Sequence, residues 1–265
     1  MQLAEPLASE LMAFAHELAD AAAAVVGRYY RAPVTVESKL DASPVTIADR
    51  EAEQVMRALI RARYPEHGIA GEEFGAEGAD AELVWHLDPI DGTKSFVGGR
   101  PLFGTLVGLS RRGRPVLGII DQCILRERWE GLIGRDSRWN GAPARVRACA
   151  RLDQATLYAT SPLMFRAGSE RAAFERVQQA VRYPLFGGDC YAYGLLAIGF
   201  ADLVIEAGLN AHDFMALVPV VQGAGGIMTD WHGRPLTPAS DGQVVAAGDA
   251  RTHRAALQLL ASTLD

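Results

Sequence analysis

The amino-acid sequence predicts an α/β or α+β fold, built from two halves that share one interface. Three observations predict it: helical apolar spacing near the N-terminus, short β-rich runs in the middle, and alternating strand and helix signals in the second half. The 265 residues are 49% hydrophobic and 22% charged, a composition that can bury a sizeable core. We expect an N-terminal α+β half over residues 1–148 and a C-terminal α/β half over residues 149–265 that completes the functional site.

The N-terminal half begins with two predicted helices. Apolar side chains recur at i, i+3, i+4 and i+7 across residues 7–30, and a second helix is expected over residues 46–63, with Thr46 as its N-cap. A turn-like stretch lies between them, from Pro33 to Pro44. Short β-rich runs separated by Gly and Pro follow, which predicts a mostly antiparallel sheet. Its expected strands are Leu83–Leu87, Thr105–Leu109, Pro115–Ile120 and Arg128–Ile133.

The C-terminal half alternates strand and helix signals, as expected of an α/β arrangement. Neither an internal repeat nor a long linker interrupts the sequence. The predicted segments are, in order, Thr156–Thr160, Ser169–Ala180, Tyr191–Ile198, Asp202–Glu206, Phe214–Gly223, Val244–Ala247 and Arg251–Leu260.

Net charge and the cysteine pattern restrict the partners and the compartment. The net charge of -6 argues against a nucleic-acid backbone or an anionic membrane as the main partner. Cys123, Cys149 and Cys190 are widely separated without a CxxC pair, so a disulfide framework is not expected and a reducing cytoplasm fits. No stretch approaches the roughly 20 apolar residues of a membrane span, and the first residues lack the basic start of a secretory signal. We therefore expect a cytoplasmic protein whose partner is a small molecule.

The segment that indicates a chemistry is Asp-Pro-Ile-Asp-Gly-Thr, residues 88–93, at the end of an apolar run. Asp88 and Asp91 flank a turn stiffened by proline, so both carboxylates can converge on one point. Hard divalent cations such as Mg²⁺ prefer oxygen ligands of this kind. Gly92 and Thr93 then offer backbone N–H groups at a helix N-terminus, which suits a phosphate group. The alternative is a surface turn, since Asp-Pro and Asp-Gly are common turn formers.

Two further acidic positions strengthen the metal interpretation. Glu72 and Glu73 follow an apolar pair, and Asp213 opens an apolar helix. Taken alone, the first pair would be a solvated acidic loop and Asp213 an N-cap. His212 adjoins Asp213, but the six histidines show no ligand spacing such as HxxxH, so we expect a surface or capping role for it. Most of the acidic motifs lie in the first half, which is therefore expected to carry the metal-binding motifs.

As a set, three motifs resemble those of the inositol monophosphatase superfamily. They are Gly71-Glu72-Glu73, Asp88–Thr93, and His212-Asp213 leading to Gly225-Gly226, in the family's order and spacing. The resemblance spans nearly the whole chain, and the set is highly specific. It implies a layered αβαβα sandwich of the inositol monophosphatase and fructose-1,6-bisphosphatase type. It also implies a homodimer that hydrolyses a small phosphate ester with two or three Mg²⁺ ions per active site.

The same resemblance implies roles for individual residues. The family's metal ligands correspond to Glu72, Asp88, the carbonyl of Ile90, Asp91 and Asp213. Thr93, together with Glu72, corresponds to the residues that orient the attacking water. Lys39 and Asp49 match an upstream catalytic motif near the metals. His212 departs from the pattern, because many members have Trp there, and this leaves the shape of that wall open.

Four further segments resemble the histidinol-phosphate phosphatase branch: residues 91–96, 99–105, 118–122 with 127–129, and 187–194. L-Histidinol phosphate carries an ammonium and an imidazole, so its pocket should offer acceptors or negative charge beyond the metals. Asp189 and Glu206 are the candidate substrate-binding residues. Glu206 lies seven residues before Asp213, the spacing at which family members place a substrate-contacting glutamate. For each, the alternative is a helix cap or a carboxylate at the surface end of a strand.

These observations predict a Mg²⁺-dependent phosphomonoesterase that hydrolyses L-histidinol phosphate to L-histidinol and phosphate in histidine biosynthesis. A metal-activated water would attack phosphorus without a covalent phosphoenzyme. The sequence lacks the GxxxxGK[ST] loop and the GxSxG elbow of competing chemistries. Two alternatives stay open. One is an inositol monophosphatase or broad sugar-phosphate phosphatase, and the other is a catalytically silent binding or regulatory module, against which the full set of ligands argues.

Overall fold

The helical periodicity at the N-terminus is confirmed. The computed structural model describes residues 3–33, 36–38 and 44–262. Helix α1 spans Leu7–Tyr29, strands β1 (Val36–Ser38) and β2 (Pro44–Thr46) form a small antiparallel sheet, and helix α2 spans Ile47–Arg63. Thr46 caps α2 as predicted, since its hydroxyl accepts from the N–H of Ala48 at 3.1 Å. The apolar face of α1, which includes Leu11 and Phe14, is fully buried.

A large, mostly antiparallel sheet follows, as predicted. Its strands are β3 (Gly68–Gly71), β4 (Gly75–Glu77), β5 (Leu83–Asp91), β6 (Gly104–Arg111), β7 (Arg114–Gln122), β8 (Glu127–Leu132), β9 (Arg138–Trp139) and β10 (Ala142–Pro143), with the short helix α3 (Thr93–Val97) after β5. Within the described residues their spatial order is β10-β9-β8-β7-β6-β5-β3-β4. Strands β3 and β5 are parallel, and every other pair of neighbours is antiparallel. This topology ends β3 and β5 at the same edge of the sheet.

The C-terminal half forms a second, mixed sheet with helices on both sides. After a 3₁₀ turn at Leu152–Gln154, its elements are β11 (Thr156–Ala159), α4 (Ser169–Ala180), β12 (Tyr183–Phe186), α5 (Asp189–Ala197), β13 (Leu203–Glu206), α6 (Ala211–Phe214), α7 (Leu217–Gly223), β14 (Ile227–Thr229), β15 (Val244–Ala247) and α8 (Ala250–Ala261). The strand order is β12-β11-β13-β15-β14. Strand β11 is parallel to β12 and β13, whereas β15 is antiparallel to β13 and β14.

The elements stack in five layers, and the αβαβα sandwich is confirmed. Helices α1 and α2 cover the outer face of the large sheet. Helices α5, α6 and α7 pack between the two sheets, where Trp129, Tyr193 and Phe214 are among the largest buried side chains. Helices α4 and α8 cover the outer face of the second sheet. In the part of the chain that the structure describes, no helix has the length and apolar character needed to span a membrane.

Two features differ from the sequence prediction. The helix expected over Phe214–Gly223 is divided into α6 and α7, because Pro219 has no N–H to bond the carbonyl of Met215, four residues earlier. Several short strands, such as β12 and β14, were not predicted, since three or four residues are too few to show an alternating pattern. The division of the chain at residue 148 stays a prediction.

Candidate metal and phosphate site

The predicted metal-binding segment lies at a bulge near the end of β5. The register of β5 against β6 shifts between Asp88 and Asp91, where Pro89 cannot donate to the strand ladder. Asp88 Oδ1 accepts from the N–H of Ile90 at 3.0 Å, and Thr105 Oγ1 donates to the carbonyl of Pro89 at 2.8 Å. These bonds hold the bulge in a shape that directs both aspartates toward α6.

A third carboxylate reaches the same point from the second half of the chain. Asp213 lies in α6, where its Oδ2 accepts from the N–H of Asn210 at 2.6 Å and the two residues form a capping box. Asn210, and not Asp213, is therefore the N-cap. One carboxylate oxygen from each of Asp88, Asp91 and Asp213 lies within 4.8 Å of the other two. The structure thus brings together three of the five predicted metal ligands.

The electrostatics of this cluster test whether the site fits a divalent cation. Burial raises the pKa of Asp88 well above its ordinary value, and the negative charges of Glu72 and Asp91 raise it further. Burial also raises the pKa of Asp91, with further contributions from Asp189 and Asp213. Buried like charges at this range are unfavourable unless a cation neutralises them. A set of convergent carboxylate oxygens is the donor set that Mg²⁺ prefers, so these residues fit the metal.

Glu72 approaches the cluster from the end of β3. Its N–H donates to the carbonyl of Leu87 at 3.1 Å, which extends the pairing of β3 with β5 by one residue. The charge of Glu72 raises the pKa of Asp49, Asp88 and Asp213, so its carboxylate lies in the field of all three. The alternative of a solvated acidic loop therefore does not describe Glu72.

Thr93 and Asp49 meet beside the bulge. Thr93 Oγ1 donates to the carbonyl of Ile90 at 3.0 Å and lies 3.5 Å from Asp49 Oδ1. Asp49 is fully buried in the first turn of α2, where its Oδ2 accepts from Thr46 Oγ1 at 2.6 Å. Burial raises the pKa of Asp49, although the hydrogen bonds from Thr46 oppose this shift. Thr93 and Asp49, both predicted to be catalytic, therefore lie beside the carbonyl of Ile90, which was predicted to bind metal.

The phosphate prediction concerns the start of α3. Gly92 is the N-cap of α3 and has a φ of 88°, a conformation that suits glycine. The helical bonds begin when the N–H groups of Ser95 and Phe96 donate to the carbonyl of Gly92, at 2.8 Å and 3.0 Å. The N–H group of Thr93 precedes these bonds, in the first turn of α3, where N–H groups have no acceptor within the helix. The roles of Gly92 and Thr93 toward phosphate stay predictions.

The two predicted substrate residues lie close to this cluster. Glu206 ends β13 and is 2% exposed; its Oε1 accepts from the N–H of Thr160 at 2.9 Å and its Oε2 from the hydroxyl of Tyr193 at 3.0 Å. Burial raises the pKa of Glu206 to about 7, with the hydrogen bond from Thr160 opposing the shift and the charge of Asp189 adding to it. A carboxylate at the surface end of a strand, the alternative for Glu206, is therefore wrong.

Asp189 begins α5 with a φ of 43° and lies against the glycine of the phosphate segment. Gly92 has a φ of 88°, and a Cβ there would lie 3.0 Å from Asp189 Cγ, so a larger residue would be strained and would press against Asp189. Ser95 Oγ donates to Asp189 Oδ2 at 3.2 Å, and burial raises the pKa of this carboxyl. Asp189 thus joins α5 to α3 at the edge of the cluster.

Several residues around the site were not predicted from the sequence. Thr160 and Tyr193 hold Glu206, Ser95 holds Asp189, and the N–H of Cys190 donates to Asp91 Oδ2 at 2.5 Å. One signal was present, since Asp189 and Tyr193 are four residues apart and therefore share a face of α5. The other contacts arise from packing between distant segments.

Lys39 and His212 are the two other residues for which the sequence predicted a role. Lys39 lies outside the described residues. His212, for which a surface or capping role was expected, is partly buried, and its Nε2 lies 3.3 Å from Asp213 Oδ1. Burial raises the pKa of Asp213, and the charge of His212, when protonated, opposes this shift. His212 therefore forms part of the wall beside the cluster.

Comparisons with known proteins extend over nearly the whole chain. The model of the inositol monophosphatase family matches residues 7–265. The bifunctional phosphatase IMPL2, chloroplastic, of Arabidopsis thaliana is 48% identical over 268 residues, which cover 98% of this chain and 77% of the plant protein. The histidinol-phosphatase of Chlorobaculum parvum is 33% identical over 231 residues, covering 87% of this chain and 89% of that protein. The solved structure of an inositol monophosphatase from Zymomonas mobilis superposes with a TM-score of 0.88 at 49% identity, covering 95% of this chain and 98% of that one.

Proposed function

The chain belongs to the inositol monophosphatase family and is a phosphatase, and we propose that it hydrolyses L-histidinol phosphate with Mg²⁺ in histidine biosynthesis. The observation that supports this proposal is a pair of carboxylates, the buried Glu206 and the partly buried Asp189, beside the Asp88–Asp91–Asp213 cluster. A neutral alcohol has no need of further negative charge there, whereas the ammonium and imidazole of histidinol do.

Enzymes of this family use Mg²⁺, and the acidic cluster is where this chain would hold it. When bound, Mg²⁺ supplies positive charge for the phosphate and leaving oxygens and lowers the pKa of a coordinated water. We propose two or three ions per active site. The residues that would hold them are Glu72, Asp88, the carbonyl of Ile90, Asp91 and Asp213.

The neighbouring hydroxyl and carboxylates are suited to orient the attacking water. The Thr93 hydroxyl donates a hydrogen bond to Ile90 O at 3.0 Å, so the lone pairs on its Oγ1 are left to accept a hydrogen bond from water. Glu72 adds a second acceptor from the end of β3. Asp49, whose Oδ1 lies 3.5 Å from Thr93 Oγ1, and Lys39, which is assigned by the family motif alone, would complete the catalytic group on the side of α2. The N–H groups of Gly92 and Thr93 would bind phosphate oxygens.

The cationic end of the substrate would contact Glu206 and Asp189. Each oxygen of Glu206 already accepts one hydrogen bond, from Thr160 or Tyr193. A carboxylate oxygen has two acceptor sites, so Glu206 can still accept from an ammonium or an imidazole N–H. The fixed Thr160 and Tyr193 contacts leave Glu206 little rotational freedom, which reduces the entropy lost when substrate binds.

The second candidate function is inositol monophosphatase or broad sugar-phosphate phosphatase activity. The similarity to the Zymomonas mobilis inositol monophosphatase favours it, because that protein shares 49% of its residues with this chain. A catalytically silent module is disfavoured, since a protein without turnover has no need to keep buried carboxylates whose charges repel one another.

Turnover of three substrates with Mg²⁺ tests the proposal: L-histidinol phosphate, inositol 1-phosphate and a generic phosphate ester. We expect the largest kcat/KM for histidinol phosphate. A larger value for inositol 1-phosphate would assign the second candidate, and an absence of turnover on all three would support the silent module.

We also propose a homodimer and a cytoplasmic location. The outer strand of the second sheet, β12, exposes Tyr183, Leu185 and Phe186, and an apolar edge of this kind is typical of a subunit contact. Light scattering after size exclusion would give the subunit number, and a Leu185→Lys variant should shift it toward monomer. The cytoplasmic location rests on the widely spaced cysteines and is tested by cell fractionation.

A further inference from the structure

Helix α2 carries three charged side chains at intervals of four residues. Asp49, Glu53 and Arg57 therefore lie on one face of the helix, in successive turns. Asp49 belongs to the candidate site. Glu53 and Arg57 are 0% and 3% exposed, and Arg57 Nε donates to Glu53 Oε1 at 2.7 Å.

Glu53 binds the turn that carries Glu72. Its Oε2 accepts from the N–H of Glu73 at 2.7 Å, and its Oε1 lies 3.3 Å from the N–H of Phe74, which donates to it. On the other side of Glu72, a Cβ added to Gly71 would lie only 2.0 Å from Glu53 Oε1. Glycine is therefore needed before Glu72 so that the backbone can approach this carboxylate.

Arg57 completes the clamp on the same turn. Its Nη2 donates to the carbonyl of Gly75, at the start of β4. The pair thus holds the chain after Glu72 by two N–H groups and one carbonyl, while the N–H of Glu72 itself donates to Leu87. The backbone around Glu72 is fixed on both sides, toward α2 and toward β5.

A buried ion pair is a weak source of stability, because desolvation of the two charges offsets much of their attraction. Glu53 and Arg57 are therefore better explained by the geometry that they impose than by the free energy of their pairing. Groups that orient metal ligands through hydrogen bonds set the affinity of a metal site, and their loss typically lowers it about 10- to 100-fold.

We propose that Glu53 is a positioning residue that directs Glu72 toward the Asp88–Asp91–Asp213 cluster and thereby sets the affinity of the protein for Mg²⁺. The inference rests on the proposed function, in which Glu72 is a metal ligand. Arg57 acts through Glu53, since it holds Oε1 in place.

The test is a Glu53→Gln variant, with Mg²⁺ binding measured by calorimetry in addition to turnover. The amide keeps the size of the side chain but replaces one acceptor oxygen by a donor. In either orientation its NH₂ group therefore faces a donor, the N–H of Glu73 or Arg57 Nε. We expect the Mg²⁺ dissociation constant to rise about 10-fold or more, and kcat to recover in part at high Mg²⁺.

Asp202→Asn is the matched control. Asp202 is also a buried carboxylate, 1% exposed, which accepts from Arg147 Nε at 2.6 Å and from the N–H of Thr156 at 2.7 Å. It directly precedes β13, whereas Glu206 of the candidate site ends that strand. We expect it to lose stability in urea as Glu53→Gln does, with an unchanged Mg²⁺ dissociation constant. An unchanged Mg²⁺ dissociation constant in both variants would overturn the inference and leave Glu53 with a structural role only.

Gly71→Ala tests the same contact from the opposite side, and it decides the matter if Glu53→Gln does not fold. The added methyl group displaces the turn from Glu53, so Mg²⁺ binding should weaken as in Glu53→Gln; unaltered binding would contradict the proposal. A wild-type protein that binds no Mg²⁺ would overturn the proposed function together with this inference. The wild-type titration therefore separates the two failures.

Discussion

The N–H of Cys190 donates to Oδ2 of Asp91 at 2.5 Å, a contact between residues that lie 99 positions apart in the chain. Asp91 ends β5 of the large sheet, and Cys190 lies in the first turn of α5, between the two sheets. Burial raises the pKa of Asp91, and the side chain of Cys190 opposes this shift. The candidate site is therefore complete only when the two sheets are packed together.

Removal of divalent cations should abolish activity. The three aspartates of the cluster converge within 4.8 Å, and their charges repel one another unless a cation is present. We expect no phosphatase turnover in excess EDTA and full recovery when Mg²⁺ is restored, as measured by phosphate release. Full turnover in the presence of the chelator would contradict the metal assignment.

Asp91→Asn should lower kcat by orders of magnitude without unfolding the protein. The amide keeps the shape of the side chain and an oxygen that can accept from Cys190, but it removes one charge from the cluster. Because repulsion is relieved, the metal-free variant should unfold at a higher urea concentration than the metal-free wild type. Asp202→Asn serves as the control for a buried aspartate outside the cluster. Near-normal turnover at saturating Mg²⁺ would show that Asp91 is not a shared ligand.

Local pattern was sufficient to predict the long elements and the acidic motifs. The apolar spacing of α1 and the cap at Thr46 depend on residues close in sequence, and both are confirmed. The convergence of Asp88 and Asp91 follows from a proline-containing bulge that is likewise local. Asp213 was placed beside them by motif resemblance and not by any local signal.

Long-range packing could not be predicted from the sequence. The contacts of Glu206 with Thr160 and Tyr193 join three separate elements, and no periodicity connects them. A glutamate within an amphipathic helix is usually solvated, so Glu53 gave no sign of its burial. The break between α6 and α7 had a local cause in Pro219, but apolar residues on both sides of it obscured the signal.

The stability of the metal-free protein should carry a pH dependence that originates at Glu206. Burial raises its pKa from 4.5 to about 7, so between these values the folded protein binds a proton that the unfolded chain has released. The free energy of unfolding therefore falls as the pH rises through this window. Glu206→Gln removes this contribution.

The comparison is made by urea unfolding in the presence of a chelator. From about pH 5 to about pH 8, the stability of Glu206→Gln should rise relative to wild type by up to about 3 kcal/mol, at about 1.4 kcal/mol per pKa unit. Thr160, Tyr193 and the charge of Asp189 surround the carboxyl and are unchanged in the variant. Two parallel pH profiles would show that the Glu206 carboxyl does not titrate in this range.

The last prediction concerns substrate choice and uses the same substitution in the Mg²⁺-loaded enzyme. Hydrogen bonds to a charged group are typically worth about 1.5–3 kcal/mol. Glu206→Gln should therefore lower kcat/KM for L-histidinol phosphate roughly 10- to 100-fold, at about 1.36 kcal/mol per tenfold. A phosphate ester of a small uncharged alcohol should lose much less, because the metal-binding carboxylates are untouched.

The test is the difference between the two substrates in the loss of kcat/KM, because an equal loss on both would show only that the site is damaged. Glu127→Gln is the matched control, since Glu127 Oε2 accepts from the hydroxyl of Tyr191 at 2.5 Å much as Glu206 accepts from Tyr193. It should leave the ratio of the two kcat/KM values unchanged. Equal losses on both substrates in Glu206→Gln would assign Glu206 to the chemistry of hydrolysis and not to specificity. If kcat/KM falls for neither substrate, the pocket recognises its substrate without the charge of Glu206. The carboxylate pair would then no longer support histidinol phosphate as the substrate.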